Sequence, residues 1–188
     1  LYHLYRPEVC QWPDPKDGRL SLKLEDLART NKIDIGQAHD ALNDVRATVA
    51  LAQLLAKDSP MWQYALGYFD KATVQGRLQQ WGSDVAIGQH TFKTALYVDG
   101  ALGYGQAFQA PVLLLGAHHV YRNQLILLRL DAGDLTATDA DSVAIIPTII
   151  RKKITESGLL LPMKSRFLTH LSQDRQTRVA DHLAWCQA

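Results

Sequence analysis

Between Leu20 and Leu55 the apolar residues recur three and four positions apart, whereas beyond Lys93 they gather in short blocks. The first pattern predicts helices and the second predicts strands. Leu20, Leu24 and Leu27 line one side of "LKLEDLARTN", with Ser21 placed to cap it and Glu25 and Asp26 near its positive end. After the turn "KIDIGQA", a second helix is expected from about Ala38 to Leu55, with Leu42, Val45, Val49 and Ala52 at helical spacing. Residues 6–20, rich in Pro, Asp and Gly, read as a loop.

The pattern changes at "KDSP", where Pro60 in a polar turn suits a domain junction. An aromatic-rich helix, "MWQYALGYFDKATVQGRL", should follow. Strands are then expected at Lys93–Val98, Pro111–Ala117 and Gln124–Leu130, with "HHVYRN" as a hairpin loop between the last two. The acidic turn "DAGDLTATDAD" comes next, and helices around Ile149–Glu156 and from about Thr177 to Cys186 complete the expectation. The chain thus reads as mixed α/β (α+β): a short helical piece over residues 1–59, and over residues 60–188 a domain whose close-set strands suggest a small antiparallel barrel or sheet. No internal repeat is visible.

Composition narrows the class. The 188 residues, 47% hydrophobic and 21% charged, suffice for one domain or two small ones and argue against disorder. No apolar run approaches the roughly 18 residues of a membrane helix, so no membrane partner is expected. Charge is uneven: residues 1–58 carry a net −1, residues 59–146 a net −2, and residues 147–188 a net +4. A basic last quarter suits a polyanion or an acidic peptide, or is simply a solvated face. Cys10 and Cys186, far apart and without a CxxC, suggest reduced thiols in a cytoplasmic protein. Opening on Leu1 within "LYHLYRPEVCQW", which reads like protein interior, the chain is expected to be a piece of a longer one.

The chemistry concentrates in "GQAHDALNDVRATVALAQLL". Asp40, Asn43 and Asp44 share one helix face, since positions three and four apart stack. Asp44 would be a carboxylate opposite the apolar stripe, the oxygen ligand that a hard cation such as Mg²⁺ prefers. His39 would sit at the helix start, where the dipole disfavours imidazolium and a neutral ring could take a proton from water. Cation-assisted phosphodiester hydrolysis needs such a pair. Plainer readings exist on spacing alone: Asp40 as a dipole-stabilising residue, His39 as a capping or surface histidine, Asp44 as a surface carboxylate.

"HDALNDVRAT" resembles the third exonuclease motif of the DnaQ-like DEDD nucleases, in the form with histidine before the last aspartate. The flanks "YRPEVCQWPDPKDGRLSLKLEDLARTNKI", "DSPMWQYALGYFDK" and "VLLLGAHHVYRNQLILLRLDAGDL" are similar to the bacterial exonuclease I family, most strongly over 5–70 and 110–135 and weakly after 147. That resemblance implies a 3'→5' exodeoxyribonuclease acting on single-stranded DNA in repair and recombination. It implies His39 as the general base and Asp44 as the last of four acidic ligands for two Mg²⁺ ions. It implies the end of a ribonuclease H-like domain over 1–59 and a Src-homology-3-like barrel domain over 60–188, in a monomer. It also implies docking of the acidic tail of single-stranded-DNA-binding protein, with Arg175, Arg178 and Tyr64 as candidates by general position.

The family's opening Asp-x-Glu and a further Asp cannot be located. One aspartate and one histidine cannot hold two cations about 4 Å apart, so this chain alone is not expected to cut DNA. Three alternatives stand: part of an exonuclease I-type enzyme, a non-catalytic module binding single-stranded DNA or an acidic peptide, or another DnaQ-like nuclease acting on RNA. With the covering sheet missing, Leu42, Val45 and Val49 should lie bare and make the first sixty residues poorly soluble.

Other features carry less. His118 and His119 are adjacent on a strand, so they should point to opposite faces and not ligate together. "GYGQAF" lacks the Lys-Ser/Thr of a phosphate loop. Trp12, Trp62, Trp81 and Trp185 read as packing residues rather than base-stacking ones.

Overall fold

A computed structural model of the chain describes residues 1–34, 41–81, 84–137 and 148–187, which divide into two compact units. The first comprises Leu1–Gly67 with Gly103–Gly105, and the second Tyr68–Leu102 with Gln106–Ala188.

The first unit is helical: α1 Tyr2–Tyr5, α2 Leu24–Thr30, α3 Ala41–Ala56 and α4 Ser59–Leu66. Lys23, not Ser21, holds the N-cap position of α2. The Ser21 hydroxyl instead donates to the Asp26 carboxylate at 2.5 Å, and this bond holds the Asp26 pKa below its ordinary value. Rich in Ala and Leu and without Gly or Pro, α3 runs uninterrupted for 16 residues. It packs on α2 and α4. Ala28 of α2 and Ala47 of α3 are almost fully buried, small side chains being suited to a close helix approach.

As expected in the absence of a covering sheet, the stripe of α3 marked by Leu42, Val45 and Val49 lies bare, and the helix packs by another face. Asn43, Ala47, Ala50, Leu51 and Leu54 are buried or half-buried, while Leu42, Val45 and Val49 are 55%, 59% and 49% exposed. Two apolar stripes run along this helix, and the sequence pattern marked the one that lies bare. The chain then turns at Asp58, whose side chain accepts from the Met61 amide at 3.3 Å and starts α4 with Pro60 in its first turn. Arg6 Nε lies 2.9 Å from the same carboxylate, and the Tyr2 hydroxyl donates to the Leu55 carbonyl at the end of α3 (2.9 Å).

The second unit begins with α5, Lys71–Gln80. The single aromatic helix expected over 61–78 is two helices, because Asp70 accepts from the Thr73 amide (2.7 Å) and starts a new one. Among the described residues six antiparallel strands follow: β1 Asp84–Ile87, β2 His90–Val98, β3 Gln109–Ala117, β4 Gln124–Arg129, β5 Ile149–Lys153 and β6 Leu159–Pro162. Their order is β1-β2-β3-β4-β5, with β6 also on β2, beside Ala95–Val98. The three expected strands are β2, β3 and β4. The expected helix at 149–156 is instead β5 and its turn. Ile149 and Ile150 favour a strand, and the basic run alternates, with Lys152 buried between exposed Arg151 and Lys153.

Between β6 and β5 lie four strand spacings, roughly 19 Å if the sheet were flat. Yet only residues 154–158 join them, and these turn back, with Glu156 N–H donating to Lys153 O and positive φ at Thr155 and Gly158. The sheet therefore curls. Leu125 of β4, Lys152 of β5 and Leu160 of β6 accordingly line one small cavity with Tyr68 and Val74. The Tyr68 hydroxyl donates to the Leu160 carbonyl. Ala95, Tyr97, Ala110, Val112, Leu127 and Leu160 form one core cluster. A second, of Val85, Leu113, Leu130 and Leu135, is closed by Val179 of α7, Gln173–Gln187, which follows the short α6 at Ser165–Leu168.

Candidate active site

Asp44 stands in the first described turn of α3, exposed to solvent. Its backbone is held from below: Ala47, one turn on, is 1% exposed, and the Thr48 hydroxyl donates to the Asp44 carbonyl at 2.8 Å. The carboxylate is thus presented on a fixed backbone, flanked by half-buried Asn43 on one side and by the bare apolar stripe further round the helix. His39 and Asp40 lie outside the described residues. Among the described residues, no group of three or more His, Cys, Asp or Glu could hold a metal ion.

The basic last quarter divides. Arg175 is internal: its Nε donates to Asp131 Oδ2 at 2.8 Å, its Nη1 donates to the Gln106 carbonyl at 2.9 Å, and its Nη2 donates to the Gln109 carbonyl. Its candidacy for docking an acidic peptide is therefore corrected to a structural role, since its donors are already engaged. Arg178, one turn along α7, is exposed. Tyr64 on α4 is half-buried, and it joins burial in pushing the nearby Tyr5 phenol above its ordinary pKa.

Three further histidines depart from the sequence expectation or carry no sequence signal. His118 and His119 follow the end of β3, past a bulge at Leu114/Gly116, and their rings stack at 4.8 Å and 14°. They do not point apart, because the alternation of a strand no longer applies there. His182, which no motif announced, is buried on α7 with Nδ1 2.9 Å from the Leu130 carbonyl and Nε2 accepting from the Leu135 amide at 3.4 Å. Only its apolar neighbours Val179 and Leu183 hinted at a packed face.

No family model matches the chain. It is 33% identical over 132 residues to "Exodeoxyribonuclease I" of Escherichia coli K12, an alignment covering 70% of this chain and 26% of that protein. Over the length it spans, the chain matches the exodeoxyribonuclease I family. A crystal structure of E. coli exonuclease I in complex with a dT13 oligonucleotide matches with a TM-score of 0.77 and 24% identity, over 99% of this chain and 42% of that one. A structure of SSB/exonuclease I in complex with inhibitor CFAM matches with a TM-score of 0.75 and 23% identity, over 99% and 41%. The chain therefore spans about a quarter of the curated exodeoxyribonuclease I relative. The likeness in fold to exonuclease I includes α7, beyond residue 147 where the sequence resemblance weakens.

Proposed function

We propose that this chain is part of a 3'→5' exodeoxyribonuclease that degrades single-stranded DNA in repair and recombination. The observation that carries the reading is Asp44, a solvent-facing carboxylate on a helix pinned by Ala47, in a chain 33% identical to exodeoxyribonuclease I. In this reading residues 1–59 close a ribonuclease H-like nuclease domain and residues 60–188 form a Src-homology-3-like barrel domain. The protein works as a cytoplasmic monomer.

Asp44 offers one anionic oxygen donor of the kind Mg²⁺ prefers. The described residues alone do not assemble a two-cation site. Where two Mg²⁺ ions are held with further carboxylates, they would supply charge stabilisation for the scissile phosphate. What this chain contributes is the Asp44 ligand, and His39 as the base that takes a proton from the attacking water. The acidic tail of single-stranded-DNA-binding protein is the proposed protein partner, with exposed Arg178 as a candidate contact.

The test is made in the longer protein that carries this stretch. His39→Ala should lower the rate of single-strand degradation by about 10²–10⁴ while oligonucleotide binding persists. Asp44→Asn should shift the Mg²⁺ titration as well as turnover. Normal degradation by His39→Ala overturns its role, and an unshifted titration removes Asp44 from the site. A second reading, a binding module without catalysis, draws on the net +4 of residues 147–188 and on exposed Arg178. It predicts binding with no degradation in either background.

A further inference from the structure

The β3–β4 hairpin tip is built unlike an ordinary turn. Gly, Asn, Asp and Ser dominate turns because they tolerate tight backbone at little cost, yet this tip reads His118-His119-Val120-Tyr121-Arg122. Val120 and Tyr121 are 62% and 57% exposed, so they contribute little to the core. The tip is nonetheless fixed. His118 Nδ1 accepts from the amides of both Val120 (3.1 Å) and Tyr121 (3.2 Å), while His118 N–H donates to Gln124 O and Gln124 N–H to Tyr121 O, each at 2.8 Å. The His118 ring stacks on His119 (centroids 4.8 Å apart, 14°), and the Tyr121 ring lies 5.2 Å from His118, tilted by 47°. Three rings thus cluster at a hydrogen-bonded tip, with His119 and Tyr121 exposed.

Cations outnumber anions around these rings. No acidic residue occurs from Gly100 to Leu130. Arg122 is exposed at the tip, and on the neighbouring strand Lys153 pairs in register with Gln124 and Arg151 with Ile126, both exposed. Glu156 neutralises Lys153 at 2.8 Å, which leaves Arg122 and Arg151 as the cations of this edge. Exposed rings beside guanidinium groups are how sequence-tolerant proteins hold single strands, since every base has a stacking face and every linkage a phosphate. A duplex would hide its base faces, and an acidic peptide would leave the rings unused.

We propose that the β3–β4 hairpin tip is a stacking platform for a base of single-stranded DNA, with Arg122 and Arg151 meeting the adjoining phosphates. This rests on the single-stranded DNA reading above and adds a specific contact point within the second unit.

The experiment measures binding of a fluorescein-labelled oligothymidylate and of an abasic strand of equal length to the full chain, by anisotropy without divalent cation. Tyr121→Ser and His119→Ser should each weaken oligothymidylate binding by roughly 5- to 150-fold and leave abasic binding unchanged. Tyr121→Phe should bind like wild type. Arg122→Gln should weaken both strands and flatten the salt dependence. Because these side chains are exposed, unfolding midpoints should match wild type. If one serine variant fails to fold, the other decides. Should wild type bind the oligothymidylate and both serine variants bind it equally well, the platform is overturned while the single-strand reading survives. Should wild type bind neither strand, the single-strand reading fails and the platform with it.

Discussion

Arg175 of α7 grips Asp131 with two guanidinium nitrogens, and the Asp131 side chain is completely buried. Asp131 also takes Arg129 Nε at 3.1 Å, and Arg129 in turn donates to Gln106 Oε1 at 2.8 Å. One carboxylate thus joins the end of β4 to the last helix. Removing it would leave two mostly buried guanidinium groups without their counter-ion. Asp131→Ala should therefore cost about 3–5 kcal/mol of folding stability, read from urea unfolding. A loss below about 1 kcal/mol would mean the cluster behaves as a surface pair.

Gly158 faces Tyr97 and Asp99 at a distance that admits no side chain. A Cβ there would lie 2.5 Å from both the Tyr97 hydroxyl and Asp99 Oδ2, and φ is +88°. Strain and overlap act together in Gly158→Ala, which should lose about 1–3 kcal/mol. Tyr97→Phe in that background removes one of the clashing atoms and should recover part of the loss. Wild-type stability in the single variant would show that the turn into β6 can shift.

Much of this architecture was legible and some was not, for reasons tied to particular residues. β2, β3 and β4 could be read because each is a long apolar run bounded by turn residues. β5 misled because Arg151-Lys152-Lys153 looks like a solvated helix face, whereas Lys152 is inside, its ammonium donating to the carbonyls of Lys153 and Glu156 at 2.5 and 2.7 Å. β1 and β6 have four residues each, too few for alternation to speak. At the candidate site, the exposure of Asp44 was legible from its place on the helix. Arg175 was not, because sequence counts a charge without saying whether its partner lies 44 residues away.

That inward lysine gives the fold a signature in pH. Burial lowers the Lys152 pKa from its ordinary 10.5, against the opposing pull of Asp99 and Glu156. The unfolded chain therefore binds this proton more tightly than the folded one. Protonation opposes folding below the lowered pKa, and the penalty fades as pH rises towards 10.5. Tyr97 works in the opposite sense: burial, then Asp99, raises its pKa above 10.0, so unfolding gains as free tyrosines ionise. Comparing wild type with Lys152→Met cancels the tyrosine contribution. The stability difference should move in favour of wild type between neutral pH and about pH 10. A difference that does not change with pH would show that Lys152 keeps its ordinary proton affinity.

The bare stripe on α3 offers a separation of solubility from stability. Leu42, Val45 and Val49 are about half exposed, while the helix is held by Ala47 on its other side. Exposed apolar side chains on one face invite association, but they contribute little to the folded state of this chain. Replacing all three, as Leu42→Gln, Val45→Lys and Val49→Gln, should raise the soluble concentration clearly. It should change unfolding free energy by no more than about 0.5 kcal/mol per site. Ala47→Leu should do the reverse, costing about 1–3 kcal/mol by overpacking against α2 with no gain in solubility. The two outcomes must differ for the packed face to be the one assigned. If the triple variant unfolds while Ala47→Leu is tolerated, the stripe at Leu42, Val45 and Val49 is the packed face after all.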